Sequence, residues 1–409
     1  MTYCPVQWPV QWPVQWSDPP LALPTGSVAM AWSKLKNREP ASLWLRHLIK
    51  AISHNLETPM DSDCLEQIRA SVSQILANSG LPGAAIAAYT DGQLVLETSI
   101  GDRDVQQTVP LPVDARFFIY SVTKTLIAAA VLHQVQVGRL ALDTPIQHYW
   151  PGFPVDRPIP LRQILSHTSG LPDYGGLPAY HEALKVSPGF PWSFQDYLNV
   201  IRQRGLLFEP GTGWSYSNLG YLALKTLLEQ TTARSLQDIL DALFFTPLGL
   251  TQTFVATSLE DVADLTPGYT QAFGGSEWVN MAQRYHPGWV SHGVVVSTAA
   301  ELAAMIDALL MGQILEASLV DQMAQSVHSL GAHPPLENVG CGLGLFMDID
   351  SPYGRVMGHN GGGPGYSIAA FHFSALAGRP TTIAAATNRE GDNVGLDVAY
   401  AVAHALSEV

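Results

Sequence analysis

The hydrophobic rhythm of this chain changes twice, and that layout restricts the fold more than any single motif does. Ala84 to Tyr89 and Leu94 to Ile100 are two short apolar runs joined by Asp91-Gly92, a strong hairpin signal. Far downstream, Gly342 to Met347, Arg355 to His359, Ser367 to Phe373 and Thr381 to Ala386 again read as strands. The stretch between them follows helical spacing. Helices are predicted at Phe194 to Arg204, Leu219 to Gln230, Leu236 to Phe244, Thr298 to Met311 and Leu315 to Gln325. A further helix, Cys64 to about Asn78, carries Leu65, Ile68, Val72, Ile75 and Leu76 on its apolar positions. Asp61 or Asp63 can cap it, and Gly80 and Pro82 end it. Val394 to Leu406 closes the chain as a helix. Strands at both ends and helices in the middle predict an α+β fold, with a sheet built by the ends and a mainly helical domain inserted. A cleft between two such parts is a usual place for an active site.

Composition excludes several classes. Of 409 residues, 47% are hydrophobic and only 14% charged, so the chain is core-rich and not disordered. Its net charge of −14 argues against nucleic-acid binding. Cys4, Cys64 and Cys341 cannot form a disulfide framework, and no CxxC pair suggests zinc. No apolar run reaches the ~18 residues of a membrane span. Val6-Gln7-Trp8-Pro9 recurs with period four, and Met1 to about Pro24 reads as a low-complexity tail. Leu43 to Ile52 reads as a short amphipathic surface helix, and residues 1–60 together as a segment preceding the domain. The first 30 residues hold no basic residue, so no export signal is expected from Met1 and a cytoplasmic location is favoured. Met30 and Met60 are alternative starts.

Three short motifs carry chemistry. Ser121-Val122-Thr123-Lys124 opens an alanine-rich apolar run to Val137 that reads as a buried helix. At i and i+3 the serine and lysine share one face, and a desolvated lysine can take the serine's proton. The helix N-terminus offers unpaired N–H groups for an oxyanion. Ser33-Lys34-Leu35-Lys36 matches the same pattern but has no buried helix behind it. Tyr216-Ser217-Asn218 lies in a Gly-rich loop. A tyrosine beside a cationic lysine loses its proton more easily, and the asparagine amide can bond the lysine or a substrate carbonyl. The matching Tyr197-Leu198-Asn199 falls inside an amphipathic helix. His359-Asn360-Gly361-Gly362-Gly363-Pro364-Gly365 ends a strand with glycines that let a ligand approach the backbone. His286-Pro287-Gly288 is its decoy, because proline breaks a strand.

In this order and spacing, the three motifs resemble those of the serine β-lactamase and penicillin-binding protein superfamily, nearest its class C branch with D-alanyl-D-alanine carboxypeptidases, D-aminopeptidases and esterases. The resemblance covers about Asp61 to Val409 and includes Leu165-Ser166-His167-Thr168-Ser169-Gly170-Leu171-Pro172, Thr246-Pro247-Leu248-Gly249-Leu250, Val296-Ser297-Thr298 and Gly342-Leu343-Gly344-Leu345. It implies a β-lactamase-like antiparallel sheet flanked by helices, with a sheet part near residues 61–120 and 290–409 and a helical part near 121–289. It implies Ser121 as acylated nucleophile, Lys124 and Tyr216 sharing its proton, and Asn218 holding the substrate amide or the lysine. His359, Asn360 and Gly361 stand on the strand beside them, and the N–H groups of Ser121 and Gly362 form the oxyanion hole. Where the superfamily usually has lysine followed by threonine or serine and glycine, this chain has His359-Asn360-Gly361. A titratable imidazole replaces a permanent cation, which tilts the expectation from β-lactam turnover toward an esterase or peptidase.

Rival readings are weaker. Gly213-Trp214-Ser215-Tyr216-Ser217 lacks the final glycine of a nucleophile elbow. His181-Glu182-Ala183-Leu184-Lys185 has lysine where a zinc peptidase needs its second histidine. No metal or organic cofactor is expected. A non-catalytic ligand sensor on the same fold, or a true β-lactamase, is the alternative. Trp214, Tyr174, Tyr180, Trp192 and Tyr366 are candidates for an aromatic cleft or for core. The expected partner is a small-molecule or peptide substrate, and oligomeric state is not readable.

Overall fold

A computed structural model describes residues 62–106, 108–325 and 328–408. The tail repeat, the Leu43–Ile52 stretch, the Ser33–Lys36 decoy and the candidate cap Asp61 lie outside the described residues.

Helix α1 (Ser62–Ser79) buries Cys64, Ile68, Val72 and Leu76, one residue per turn. Strands β1 (Gly83–Thr90) and β2 (Gln93–Gly101) follow. Thr90 pairs with Gln93 across Asp91 and Gly92, both at positive φ (51° and 75°), as a two-residue hairpin turn requires. Strand β3 (Phe117–Phe118) leads into α2 (Val122–Gln136), and α3 (Leu161–Leu165), α4 (Phe194–Arg204) and α5 (Asn218–Thr232) come next. Strands β4 (Phe254–Ala256) and β5 (Val294–Ser297) precede α6 (Ala299–Leu310). The chain then runs through β6 (His328–His333), β7 (Leu336–Cys341), β8 (Phe346–Asp348), β9 (Val356–Gly363), β10 (Tyr366–Leu376), β11 (Arg379–Thr387) and α7 (Val394–Ser407).

The main sheet is antiparallel throughout, in the order β2-β1-β11-β10-β9-β8-β7-β6. The N-terminal hairpin therefore docks on the last strand, through Ala84 opposite Thr387 to Thr90 opposite Thr381. Both faces of the central strands are covered. Ala84, Ile86 and Ala88 join α1 and α7 in one apolar cluster, while Ala85 and Ala87 join α2 and α6 in another. Burial on both faces explains why β1 and β11 are alanine-rich rather than alternating apolar with polar. A second small sheet, β3-β5-β4, lies beside the start of α2.

Two sequence readings shift. The run Gly342–Met347 is a strand only from Phe346. Gly342 to Leu345 turns instead, with Gly344 at φ +74° and its N–H on the Leu165 carbonyl. Its neighbours β6 and β7 were not expected, because Gly331 and the exposed residues of β6 hide any period-two pattern and Pro334-Pro335 precede β7.

Candidate active site

Helix α2 is apolar on every side, and residues Val122 to Leu132 are all buried. A helix placed at the centre of the core in this way holds its first turn rigidly. Ile119 is tied by its N–H to the Val295 carbonyl on β5 (2.9 Å). Tyr120 then takes φ +44°, a left-handed conformation costly for an aromatic residue, and Ser121 follows at the N-cap. The Ser121 hydroxyl does not cap the helix. The N–H groups of Val122, Thr123 and Lys124 bond the carbonyls of Ile119, Tyr120 and Ser121, whereas the Ser121 N–H donates to no carbonyl among the described residues.

One turn on, Lys124 is completely buried, with Nζ 3.0 Å from Ser121 Oγ. Burial drives its pKa well below the ordinary lysine value, and the charge of Asp173 only partly opposes that. The phenol of Tyr216 also hydrogen-bonds Ser121, and its ring centre stands 4.9 Å from the lysine Nζ. The sequence argument expected a cationic lysine to lower this phenol's pKa. The structure reverses it: burial pushes the phenol up, and the bond to Ser121 recovers only part of the shift. In a desolvated pair, burial favours the uncharged form on both sides.

The Tyr216 loop is held by the segment after α3. His167, at φ +60°, lays its ring 4.4 Å from that of Tyr216, and its Nδ1 accepts the Ser217 N–H at 3.1 Å. Ser217 caps α5 through Gly220 N–H and donates its own hydroxyl to the Pro172 carbonyl. The Leu165–Pro172 segment, given no chemistry in the sequence reading, is thus the cradle that aims the phenol.

Asn218, expected to hold the substrate amide or the lysine, is itself held. Its backbone and side-chain amides both donate to Asp173, at 2.8 and 3.3 Å. It borders the cavity, and among the described residues its side chain bonds Asp173 and not the lysine. The second polar neighbour of Lys124 is instead His292, with Nε2 3.3 Å from Nζ. Sequence reasoning missed both Asp173 and His292. The signal for His292 was the Val294–Ser297 run, a buried strand whose pairing with Phe117–Phe118 brings the preceding loop against α2.

Strand β9 has β8 beside it only from Val356 to Gly358, so its far half leaves an open edge near Ser121. A Cβ on Gly361 would lie 2.4 Å from the Ile119 carbonyl oxygen and 3.1 Å from the Ser121 nitrogen. A Cβ on Gly363 would strike the Tyr120 ring at 2.6 Å. Only glycine lets the strand lie this close. His359 is buried between Phe346 and Tyr216 (4.7 and 6.3 Å between rings) and does not border the cavity. Burial, with the charge of Lys124, brings its pKa down to about 3. The imidazole expected to titrate in place of the usual cation is therefore held neutral at neutral pH. Asn360 also leaves the site: its amide donates to Asn393 Oδ1 at 2.7 Å, at the start of α7.

Ser121, Tyr216, Asn218, His292 and Gly362 border one cavity of about 310 Å³. Its other walls include Tyr120, Tyr174, Tyr180, Leu184, Tyr285 and Trp289. Of the five aromatic candidates, Tyr174 and Tyr180 line it. Tyr366 is core, edge-on to Phe117 and Phe118, and Trp192 and Trp214 lie off the lining. A hydroxyl backed by a buried amine, under an open strand edge and a helix N-terminus, can attack a carbonyl and stabilise the resulting oxyanion. Among the described residues no group of three or more His, Cys, Asp or Glu is placed to hold a metal ion.

The family model described as Beta-lactamase matches residues 68–407. The chain belongs to the beta-lactamase family. Within that family it is similar to penicillin-binding protein 4* of Bacillus subtilis, 26% identical over 301 residues, covering 70% of this chain and 64% of the relative. A D-aminopeptidase of Brucella anthropi is 27% identical over 320 residues, covering 76% and 57%. The chain thus spans about three-fifths of the length of these curated relatives. Among solved structures, a D-stereospecific amidohydrolase from Streptomyces sp. matches with a TM-score of 0.68 and 26% identity, over 81% of this chain and 98% of that one. The beta-lactamase fold expected from the three motifs is the one found. No helix among the described residues is long and apolar enough to cross a membrane.

Proposed function

We propose that this beta-lactamase family member is a serine hydrolase that works through an acyl-enzyme. The observation that carries this reading is the wholly buried Lys124 with Nζ 3.0 Å from Ser121 Oγ. As Ser121 attacks an ester or amide carbonyl, its proton passes to Lys124. The N–H of Ser121 and that of Gly362 hold the oxyanion. The proton then goes to the leaving group, through the Tyr216 hydroxyl. Water repeats the sequence to release the acid.

The cavity favours acyl donors with an apolar or aromatic group and no free carboxylate. No arginine borders it, Lys124 is sealed beneath Ser121, and the residue at the position of the usual cation, His359, is neutral and off the lining. This supports an esterase or a D-amino-acid amidase or aminopeptidase over a carboxypeptidase or β-lactamase. A panel of p-nitrophenyl esters, D-phenylalanine amide, a D-Ala-D-Ala peptide and nitrocefin tests it, with Ser121→Ala as control. Hydrolysis of esters and the amide, lost in Ser121→Ala with an unchanged melting temperature, is expected. Turnover that survives the substitution, or a preference for the D-Ala-D-Ala peptide, would overturn the reading.

A further inference from the structure

We propose that His292 is the positioning residue that orients Lys124 toward Ser121, accepting one lysine N–H at its Nε2. This deepens the acyl-transfer reading and rests on it. A neutral amine has two N–H bonds and one lone pair. Unless an acceptor fixes one N–H, rotation about the last C–N bond turns the lone pair away from the serine. Among the described residues, the hydrogen-bonding neighbours of Lys124 Nζ are Ser121 Oγ at 3.0 Å and His292 Nε2 at 3.3 Å. With the N–H directed at His292, the lone pair faces the Ser121 hydroxyl. The balance is simple: the Ser121 O–H breaks, a third Nζ–H forms, and the bond to His292 becomes charge-assisted. Collapse of the tetrahedral intermediate returns that proton to the leaving group.

Two further observations agree, and a third sets the cost of the arrangement. The side-chain N–H of Asn218, a residue expected to hold the substrate amide or the lysine, goes to Asp173. The loop carrying His292 is fixed on both sides, by Ser291 N–H on the Tyr174 hydroxyl (3.1 Å) and Gly293 N–H on the Val290 carbonyl (2.8 Å). The His292 Nδ1 is buried and has no hydrogen-bond partner in the protein, although the residue borders the cavity. The tautomer that leaves Nε2 free to accept puts the hydrogen on Nδ1. A buried N–H without an acceptor is a cost that this tautomer carries.

The test is the rate at which a fluorophosphonate labels Ser121 between pH 5 and 10, in wild type, Ser121→Ala, His292→Leu and His292→Gln. Melting temperatures monitor folding. The groups facing Lys124 are Ser121 on its own helix, Tyr216 and Tyr221 from the α5 side, His292 before β5, His359 on β9, His167 after α3, and the charge of Asp173. Lys225 and His359 also act on His292. His292→Leu is expected to label about 10²-fold more slowly, the scale of a misaimed reacting group. Its acid limb is expected to move to lower pH, because the ammonium form loses an acceptor. His292→Gln, whose amide oxygen reaches the Nε2 position, is expected to recover most of the rate and the wild-type limb. Should His292→Leu fail to fold, His292→Asn, too short to reach, takes its place. Unchanged labelling, or equal slowing in both variants with the limb unmoved, overturns the proposal. Wild type left unlabelled at Ser121 overturns the acyl-transfer reading itself, and this inference with it.

Discussion

Gly361→Ala is the sharpest test of how the sheet serves the nucleophile. The added methyl would sit 2.4 Å from the Ile119 carbonyl oxygen, where ordinary contact begins near 3.4 Å. The backbone must open by about 1 Å, because no side-chain rotation can relieve a contact with a carbonyl. Neither partner moves freely: Ile119 is bonded to Val295, and Gly361 is paired with Ile368. The displacement therefore falls between β9 and Ser121, across the proposed oxyanion hole. A 1 Å error there costs about 10²-fold in rate, and the overpacking costs about 1–3 kcal/mol of stability. Gly362→Ala is the comparison, since its Cβ meets nothing within 4 Å. It should lose less than about tenfold, with a melting temperature near wild type. The assay is kcat/KM on a p-nitrophenyl ester, with thermal unfolding alongside. If Gly361→Ala stays within about threefold of wild type while Gly362→Ala does too, the spacing between strand and nucleophile does not govern the rate, and the argument fails.

Other outcomes follow from the same geometry. Tyr216→Phe keeps the ring against His167 but removes the hydroxyl, and acylation should slow by about 10²–10⁴-fold in single-turnover measurements. Asp173→Asn removes the negative charge that holds the lysine pKa up, so the acid limb of the pH–rate profile should move to lower pH. Buried neutral histidines make the fold acid-sensitive: His359 and His372, with pKa values brought down to about 3 and about 4 by burial, stay unprotonated where the unfolded chain takes up protons. Their contribution is complete above pH ~6.5 and fades as pH falls toward 4 and then 3, losing about 2 kcal/mol each by pH 5. Urea titrations at pH 7 and pH 5 measure it, and equal midpoints would contradict the burial argument.

Much of the architecture was legible because local chemistry and long-range packing agree. Asp91-Gly92 dictates a two-residue turn, and the period of α1 and α4 marks their buried faces. Ser121 and Lys124 were readable together because a helix guarantees that i and i+3 share a face. His292, Asp173 and the His167 ring belong to loops, where no period links a residue to its neighbours; the contacts of His292 arise only once β3 pairs with β5, and those of His167 and Asp173 only once their segment meets the Tyr216 loop. Electrostatic direction was hidden for a similar reason. Whether a lysine near a tyrosine lowers the phenol pKa depends on whether the lysine is charged, and that depends on burial, which no short motif records.

These points bear on what replaces the usual cation. A lysine on β9 would place a second ammonium near Lys124 and depress its pKa by repulsion. In this chain that position is His359, brought down to about 3 by burial and so uncharged at neutral pH. Lys124 is then lowered chiefly by desolvation, with Asp173 the opposing charge. A basic amine and a cavity without a carboxylate anchor therefore have one origin. Introducing lysine by His359→Lys should alter both together. The acid limb should move down in pH through repulsion of the two ammonium groups, and a substrate ending in carboxylate should gain in kcat/KM relative to its amide. A shifted limb with unchanged carboxylate discrimination would separate the two effects and show that β9 does not face the substrate's charged end.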